Sequence, residues 1–365
     1  MNVFVPSAAA VLTDSAGHGE GLIAWHVLSG LARRGHRLVV CAPRVELSAE
    51  PPFETIELGR GSRFESLAPF AYARAARREL DRARTRGRID VVHWLYPAED
   101  ERLLFVPPRG LPFVVGPVFR AWPGDRTRPL RPGDAVRAAL SPLARARRRA
   151  SLRRAIVLAA TPDARRGGRL LPPGVDADRF APEPPRGETV LFVGRLDRRK
   201  GVPELLGAFA EVAAARPQAR LVLAGDGPER EAVERRAAEP ALAGRVAVLG
   251  AVPQARVPEL LRESALLCLP SHGEPYGMAI LEAMAAARAV VATDAGGPRF
   301  LVGADGGRLV PVGDERALAR SLAELLADPE RLAETGRRNR ERVERELSLE
   351  RMLDRLEEVY AEVTA

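Results

Sequence analysis

The chain has 365 residues, which at roughly 100–200 residues per domain is enough for two domains and excludes a single small module or a disulfide-stapled miniprotein. Hydrophobic residues at 46% and charged residues at 28% exclude a disordered or collagen-like polymer. The net charge is +8, but the cations are 55 arginines and one lysine, Lys200, a skew that fits a GC-rich coding sequence and makes the charge weak evidence for a nucleic-acid partner.

In chain order, short apolar runs alternate with helix-period stretches, as a parallel sheet with helices on both faces requires. NVFVP opens the chain as a strand, without the basic segment and apolar stretch of a signal peptide, and no run reaches the roughly 18 residues that span a bilayer. The expected location is cytoplasmic, or peripheral on the inner face of a membrane. RLVVCAP, IDVVHW, PFVVGPV and AIVLAAT read as further strands, with helices over 21–34 and 67–86 between them. Five prolines between Leu171 and Gly187 mark a linker. Beyond it TVLFVG, RLVLAG, VAVLG, LLCLP, AVVAT and RLVPV repeat the strand scheme, separated by helices over 202–215, 229–238, 255–263 and 280–287. From about 314 the chain turns helical and charged, and 347–363 has the apolar spacing to pack one face. The expected fold class is α/β, two doubly wound domains over 1–171 and 188–344, with a linker at 172–187 and a final helix over 345–365. Cys41 and Cys268 lie in apolar runs and read as buried free thiols of a reducing compartment.

Ligands of doubly wound sheets bind beyond the carboxyl ends of the strands, so the loops there carry the candidate chemistry. In VGRLDRRKG, Gly194 and Gly201 permit close backbone approach. Arg195 offers a fork, Lys200 a compact charge, and a helix starting near Val202 its free amides: a clamp for a diphosphate. The competing reading is a chance lysine on a solvated loop. In EPYGMAILE, Glu274 stands at a strand end and Gly277 permits a tight helix entry. The amides of Tyr276, Gly277 and Met278 are donors for anionic oxygens. Glu282 sits amid Ile280, Leu281 and Met284, an apolar setting unlike that of a dipole-favoured surface glutamate. AGDGP adds a third post-strand turn with Gly225, and Asp176-Ala177-Asp178 reads as turn chemistry rather than a metal-binding pair.

Taken together, PPGVD, VGRLDRRKG, AGDGP, LLCLPS, the two glutamates with seven residues between them and AVVATDAGGP resemble, over about 172–300, the retaining glycosyltransferases of family four. The resemblance extends more weakly to AGHGEG at 16–21, RIDVVHWLYP at 88–97 and the final helix. It implies the GT-B fold, two Rossmann-like domains facing across a cleft, with a nucleotide-diphosphate-sugar donor on the second and an acceptor on the first. By carry-over, Arg195 and Lys200 bind the diphosphate and Glu282 the ribose, and Glu274 meets the sugar near the reacting carbon. Gly194, Gly225, Tyr276, Gly277 and Met278 complete the donor site, and Gly17 and Gly19 approach from the first domain. The implied reaction retains the anomeric configuration and needs no divalent metal or other cofactor; the implied donor is a UDP- or GDP-sugar and the acceptor a glycan, a lipid-linked sugar or a small natural product.

One departure concerns acid–base help. The family often has a histidine just after the strand corresponding to PFVVGPV, where this chain has Gly116-Pro117. His93 and His18 are the remaining candidates for the cleft, His93 fitting a satisfied core histidine as well as a catalytic one, and His272 borders Glu274. Several relatives act on lipids at the inner membrane face. Arg74, Arg77, Arg78 and Arg82 share one side of the helix near 67–88, and 143–158 is similarly basic, so an anionic membrane surface is a further expected partner, against a merely solvated arginine face. Two rival functions stand beside transfer: a sugar-nucleotide epimerase on the same fold, and a catalytically silent nucleotide-sugar-binding scaffold.

Overall fold

Residues 1–15, 19–59, 67–96, 103–119, 134–164 and 167–365 are described by a computed structural model, 134–138 by their backbone. The chain forms two units, Met1–Pro173 with Leu349–Ala365, and Gly174–Ser348.

In the first unit the elements run β1 (Asn2–Val5), β2 (Leu12–Thr13), α1 (Gly19–Arg33), β3 (Arg37–Ala42), β4 (Val45–Glu46), β5 (Glu54–Glu57), α2 (Ala68–Arg86), β6 (Val91–Trp94), β7 (Phe113–Val118), α3 (Asp134–Leu152), β8 (Ile156–Ala159) and β9 (Arg169–Leu170). Seven strands make one parallel sheet in the order β5-β3-β1-β6-β7-β8-β9, and β2 pairs separately with β4. The central strands are near-continuous apolar runs because helices cover both faces. α2 turns Tyr72, Ala73, Ala76, Leu80 and Ala83 onto Val92, Trp94 and Val115. Its exposed side carries Arg74 and Arg78, while Arg77 pairs with Asp81 and Arg82 with Glu79. The basic stretch expected over 143–158 ends as a helix at Leu152, and the chain re-enters the sheet as β8.

The final helix, α11 (Leu349–Thr364), belongs to this unit. Met352, Leu353, Leu356 and Tyr360 are buried, each apolar side chain contributing about 1.5–3 kcal/mol when fully enclosed. Leu353 lies so close to Gly30 of α1 that a β-carbon there would stand 2.5 Å from its Cδ1. Arg34 bonds to Glu350, Asp354 and Glu357, His36 to Glu357, and Arg169 to Glu362, so α11 is held by charge along its length.

The second unit runs β10 (Thr189–Val193), α4 (Val202–Ala215), β11 (Arg220–Ala224), α5 (Arg230–Ala237), β12 (Val246–Gly250), α6 (Val257–Arg262), β13 (Leu266–Leu269), α7 (Met278–Ala285), β14 (Ala289–Thr293), α8 (Gly297–Val302), β15 (Gly307–Val310), α9 (Glu315–Leu326) and α10 (Pro329–Arg342). Its six strands are parallel in the order β12-β11-β10-β13-β14-β15. Residues 174–187, read from the sequence as part of a linker, group with this unit. Arginines bond to backbone carbonyls of this proline-rich stretch. Arg340 donates to the carbonyls of Ala177 and Phe180, and the buried Arg288 to that of Glu183. No helix among the described residues is long and apolar enough to cross a membrane.

Candidate active site

In the second sheet the strand order reverses between β10 and β13, the position at which loops leaving neighbouring strands part to opposite faces and open a crevice. The loop after β10 carries VGRLDRRKG, and the loop after β13 carries SHGEPYG. Backbone bonds stitch these loops together: His272 N–H donates to Arg199 O at 2.7 Å, and Gly297 N–H, at the start of α8, to Glu274 O at 2.8 Å. The Thr293 hydroxyl, at the end of β14, donates to Ser271 O.

The floor is a close approach of three strand ends. Gly194 N–H donates to Ala224 O, and Gly225 N–H to Gly250 O. Gly225 has φ +156°, and a β-carbon there would lie 1.7 Å from Gly194 O, so only glycine closes this floor. After Gly194 a 3-10 turn, Arg198–Lys200, leads into Gly201, whose φ of +67° and contact with Pro270 O lock the β10 loop against the end of β13.

That lock aims Lys200 across the crevice. Its Nζ lies 2.5 Å from Glu274 Oε2, with both side chains largely buried. Arg195 is exposed at the rim, 3.6 Å from Asp197 Oδ2, which also faces Arg199. Tyr276 is buried, its phenol pushed up by desolvation. Gly277 (φ +102°) caps α7, so the first amides of the helix, beginning with Met278, lack intrahelical acceptors. Glu282, in the second turn of α7, is 8% exposed and accepts a 2.6 Å bond from Gln254 Nε2. Desolvation pushes its carboxyl up to about 7, against the lowering effect of the Gln254 bond and of the Arg179 charge.

The structure therefore gathers Gly194, Lys200, Gly225, Glu274, Tyr276, Gly277, Met278 and Glu282 on the carboxyl-end face of one sheet, with Arg195 at its edge. Gly19 begins α1 in the first unit, in open space; Gly17 and His18 lie outside the described residues. His93 is a correction to the catalytic reading. It is 1% exposed, its Nε2–H donates to Gly116 O at 2.8 Å, and its Nδ1 therefore accepts from the Tyr360 hydroxyl at 2.6 Å. Burial lowers its pKa to about 4, so it is a neutral core residue with both nitrogens engaged. His272 is bonded through Nε2 to Glu204 at 2.7 Å. Sequence reasoning missed Gln254 and Asp197; the available signal was only a polar residue in a post-strand loop.

The family model described as glycosyl transferases group 1 matches residues 176–342. The phosphatidyl-myo-inositol mannosyltransferase of Mycolicibacterium smegmatis is 40% identical over 184 residues, covering 48% of this chain and 47% of that protein. The D-inositol 3-phosphate glycosyltransferase of Segniliparus rotundus is 34% identical over 184 residues, covering 46% and 41%. The aligned stretch thus spans about half the length of these curated relatives. Among solved structures, sucrose-phosphate synthase from Thermosynechococcus elongatus superposes with a TM-score of 0.73 at 23% identity, covering 99% of this chain and 98% of that one. HepE from Anabaena, in complex with UDP, gives 0.72 at 18%, covering 99% and 100%. Residues 176–342 accordingly match the glycosyl transferases group 1 family model, and the chain has the GT-B fold, with its two Rossmann-like domains.

Proposed function

We propose that this protein is a retaining glycosyltransferase that moves a sugar from a nucleotide-diphosphate-sugar to a hydroxyl of a glycan, lipid-linked or small-molecule acceptor, without a divalent metal. The observation that carries the reading is the meeting of Lys200 and Glu274 across the β10/β13 switch point, beside the free amides of α7. When the bond from the anomeric carbon to the diphosphate breaks, negative charge grows on the leaving oxygen. Lys200, Arg195 and the α7 amides are fixed positive groups for that charge, in a partly buried setting where they act strongly. Glu274, bonded to the ammonium, is placed to accept hydroxyls of the sugar. The acceptor oxygen attacks the face the diphosphate leaves, and its proton passes to the departing phosphate oxygen, so bonds and charge balance. Glu282 is the acceptor for the donor ribose. The basic side of α3 and the turn that follows it, where Arg145, Arg149 and Arg153 are exposed, support an anionic membrane surface as a further partner.

Thermal-shift screening against UDP-, GDP-, ADP- and dTDP-sugars identifies the donor, since a ligand held by the folded state alone raises stability by mass action. With that donor, Lys200→Ala and Arg195→Ala should each lower turnover by roughly 30- to 1000-fold, the equivalent of about 2–4 kcal/mol, with the wild-type unfolding transition retained. Turnover should survive excess chelator. Near-wild-type turnover in either variant refutes the clamp, and complete metal-reversible loss refutes the metal-free step. Donor consumption without any acceptor would indicate an epimerase, and donor binding without turnover a scaffold.

A further inference from the structure

Gln254 opens the turn Gln254–Arg256 between β12 and α6, fixed on one side by Pro253 and on the other by the start of α6 at Val257. It comes from a different loop than Glu282, yet its amide reaches that carboxylate at 2.6 Å. Only the –NH2 end of an amide bonds to an ionised carboxylate, which settles the orientation of the side chain. The bond has two consequences. It fixes one carboxylate oxygen, leaving the other lone pairs of Glu282 as acceptors, and it stabilises the charged form against the burial that opposes it. Arg179, from the turn Ala177–Arg179, is the charge that acts on Glu282, and Arg340 of α10 meets α7 at the Ala285 carbonyl. Neither supplies the direct bond that Gln254 does.

We propose that Gln254 is a positioning residue for nucleoside recognition: its amide holds and aims the Glu282 carboxylate, so that Glu282 acts as an acceptor for the two adjacent hydroxyls of a ribonucleoside diphosphate. This rests on the reading of the site as a donor-nucleotide site. Gln254 touches no reacting atom, so its effect is read in donor affinity and in the pH dependence of that affinity.

The test uses the full chain and isothermal titration calorimetry from pH 5.5 to 9, with whichever of UDP, GDP or ADP the wild type binds most tightly. Wild-type affinity should fall with a midpoint near pH 7 as Glu282 takes up a proton. Gln254→Leu removes a hydrogen bond to a charged group, which should move that midpoint up by about 1–2 pH units and weaken binding about tenfold at pH 7.5. Gln254→Lys puts an ammonium at the same carboxylate and should move the midpoint below that of the wild type. Glu282→Gln should flatten the component due to Glu282, leaving only the ionisation of the ligand's own phosphates, which is common to every variant. Opposite displacements by leucine and lysine are the signature of a charge-tuning role that packing alone does not produce. A common midpoint for the wild type, Gln254→Leu and Gln254→Lys overturns the inference while leaving the donor-site reading intact. A wild type that binds none of the three nucleotides overturns both.

Discussion

Replacing Glu282 by glutamine should make the protein more stable above neutral pH and less able to hold a nucleotide. The side chain is 8% exposed and its carboxyl is raised from 4.5 to about 7, mainly by desolvation. Between those two values the folded protein holds a proton that the unfolded chain has released, so raising the pH through this window costs stability. Glutamine keeps the shape and can still accept the Gln254 bond, but it carries no charge to bury. At 1.36 kcal/mol per pH unit, Glu282→Gln should be more stable than the wild type by about 1 kcal/mol at pH 5 and by about 3 kcal/mol at pH 8. Urea denaturation followed by far-UV circular dichroism at the two pH values measures this gap, and the difference between the two proteins removes every titration they share. A gap equal at both pH values, or a variant less stable at pH 8, would refute the account of Glu282 as a carboxylate held in a costly, function-serving place.

Two further predictions concern the first unit. Tyr360→Phe leaves His93 Nδ1 without a partner in the core and should destabilise the chain by about 1–3 kcal/mol, with nucleotide affinity unchanged; a matching loss of nucleotide affinity in calorimetry would contradict the assignment of His93 to structure. The protein should sediment with anionic phosphatidylglycerol vesicles at physiological salt and be released at high salt. Reversing Arg145, Arg149 and Arg153 to glutamate should remove at least about 1 kcal/mol of attraction per residue; equal binding to neutral vesicles, or no loss in the triple variant, would sink the membrane-facing proposal for α3 and the turn after it.

What was legible in the sequence follows from where each element sits in the layers. LLCL and AVVAT lie between helices on both sides, so their unbroken apolar character announces buried parallel strands. ETIE and the two-residue RL are edge strands with polar positions, and nothing in their composition separates them from loops. GPRFLV forms the short helix α8, but its Gly-Pro start reads as a turn. The site divides the same way. Glycine turns at strand ends are visible as local chemistry, whereas the pairing of Lys200 with Glu274 depends on β10 and β13 being neighbours although β11 and β12 intervene in the chain. Strand order is a long-range property, and only the resemblance supplied it in advance. His93 illustrates the limit most sharply, because its partner Tyr360 arrives on the last helix and changes a strand-end histidine from a candidate acid–base group into packed core.

The single lysine gains meaning from its neighbours. Arg198 and Arg199, the two residues before it in the same turn, are exposed, and there any cation serves. Lys200 is largely buried, and the turn that holds it is fixed by the close approach of Gly201 to Pro270 O. An ammonium is compact and can face a carboxylate and a phosphate from one point. A guanidinium is a planar fork that needs a matching plane, whereas the ammonium here meets a single carboxylate oxygen of Glu274. A compositional drift toward arginine can therefore convert positions where only charge matters and spare the one where size and geometry matter as well. By this reasoning the +8 net charge describes the surface, and the residue that resisted the drift marks the proposed donor site.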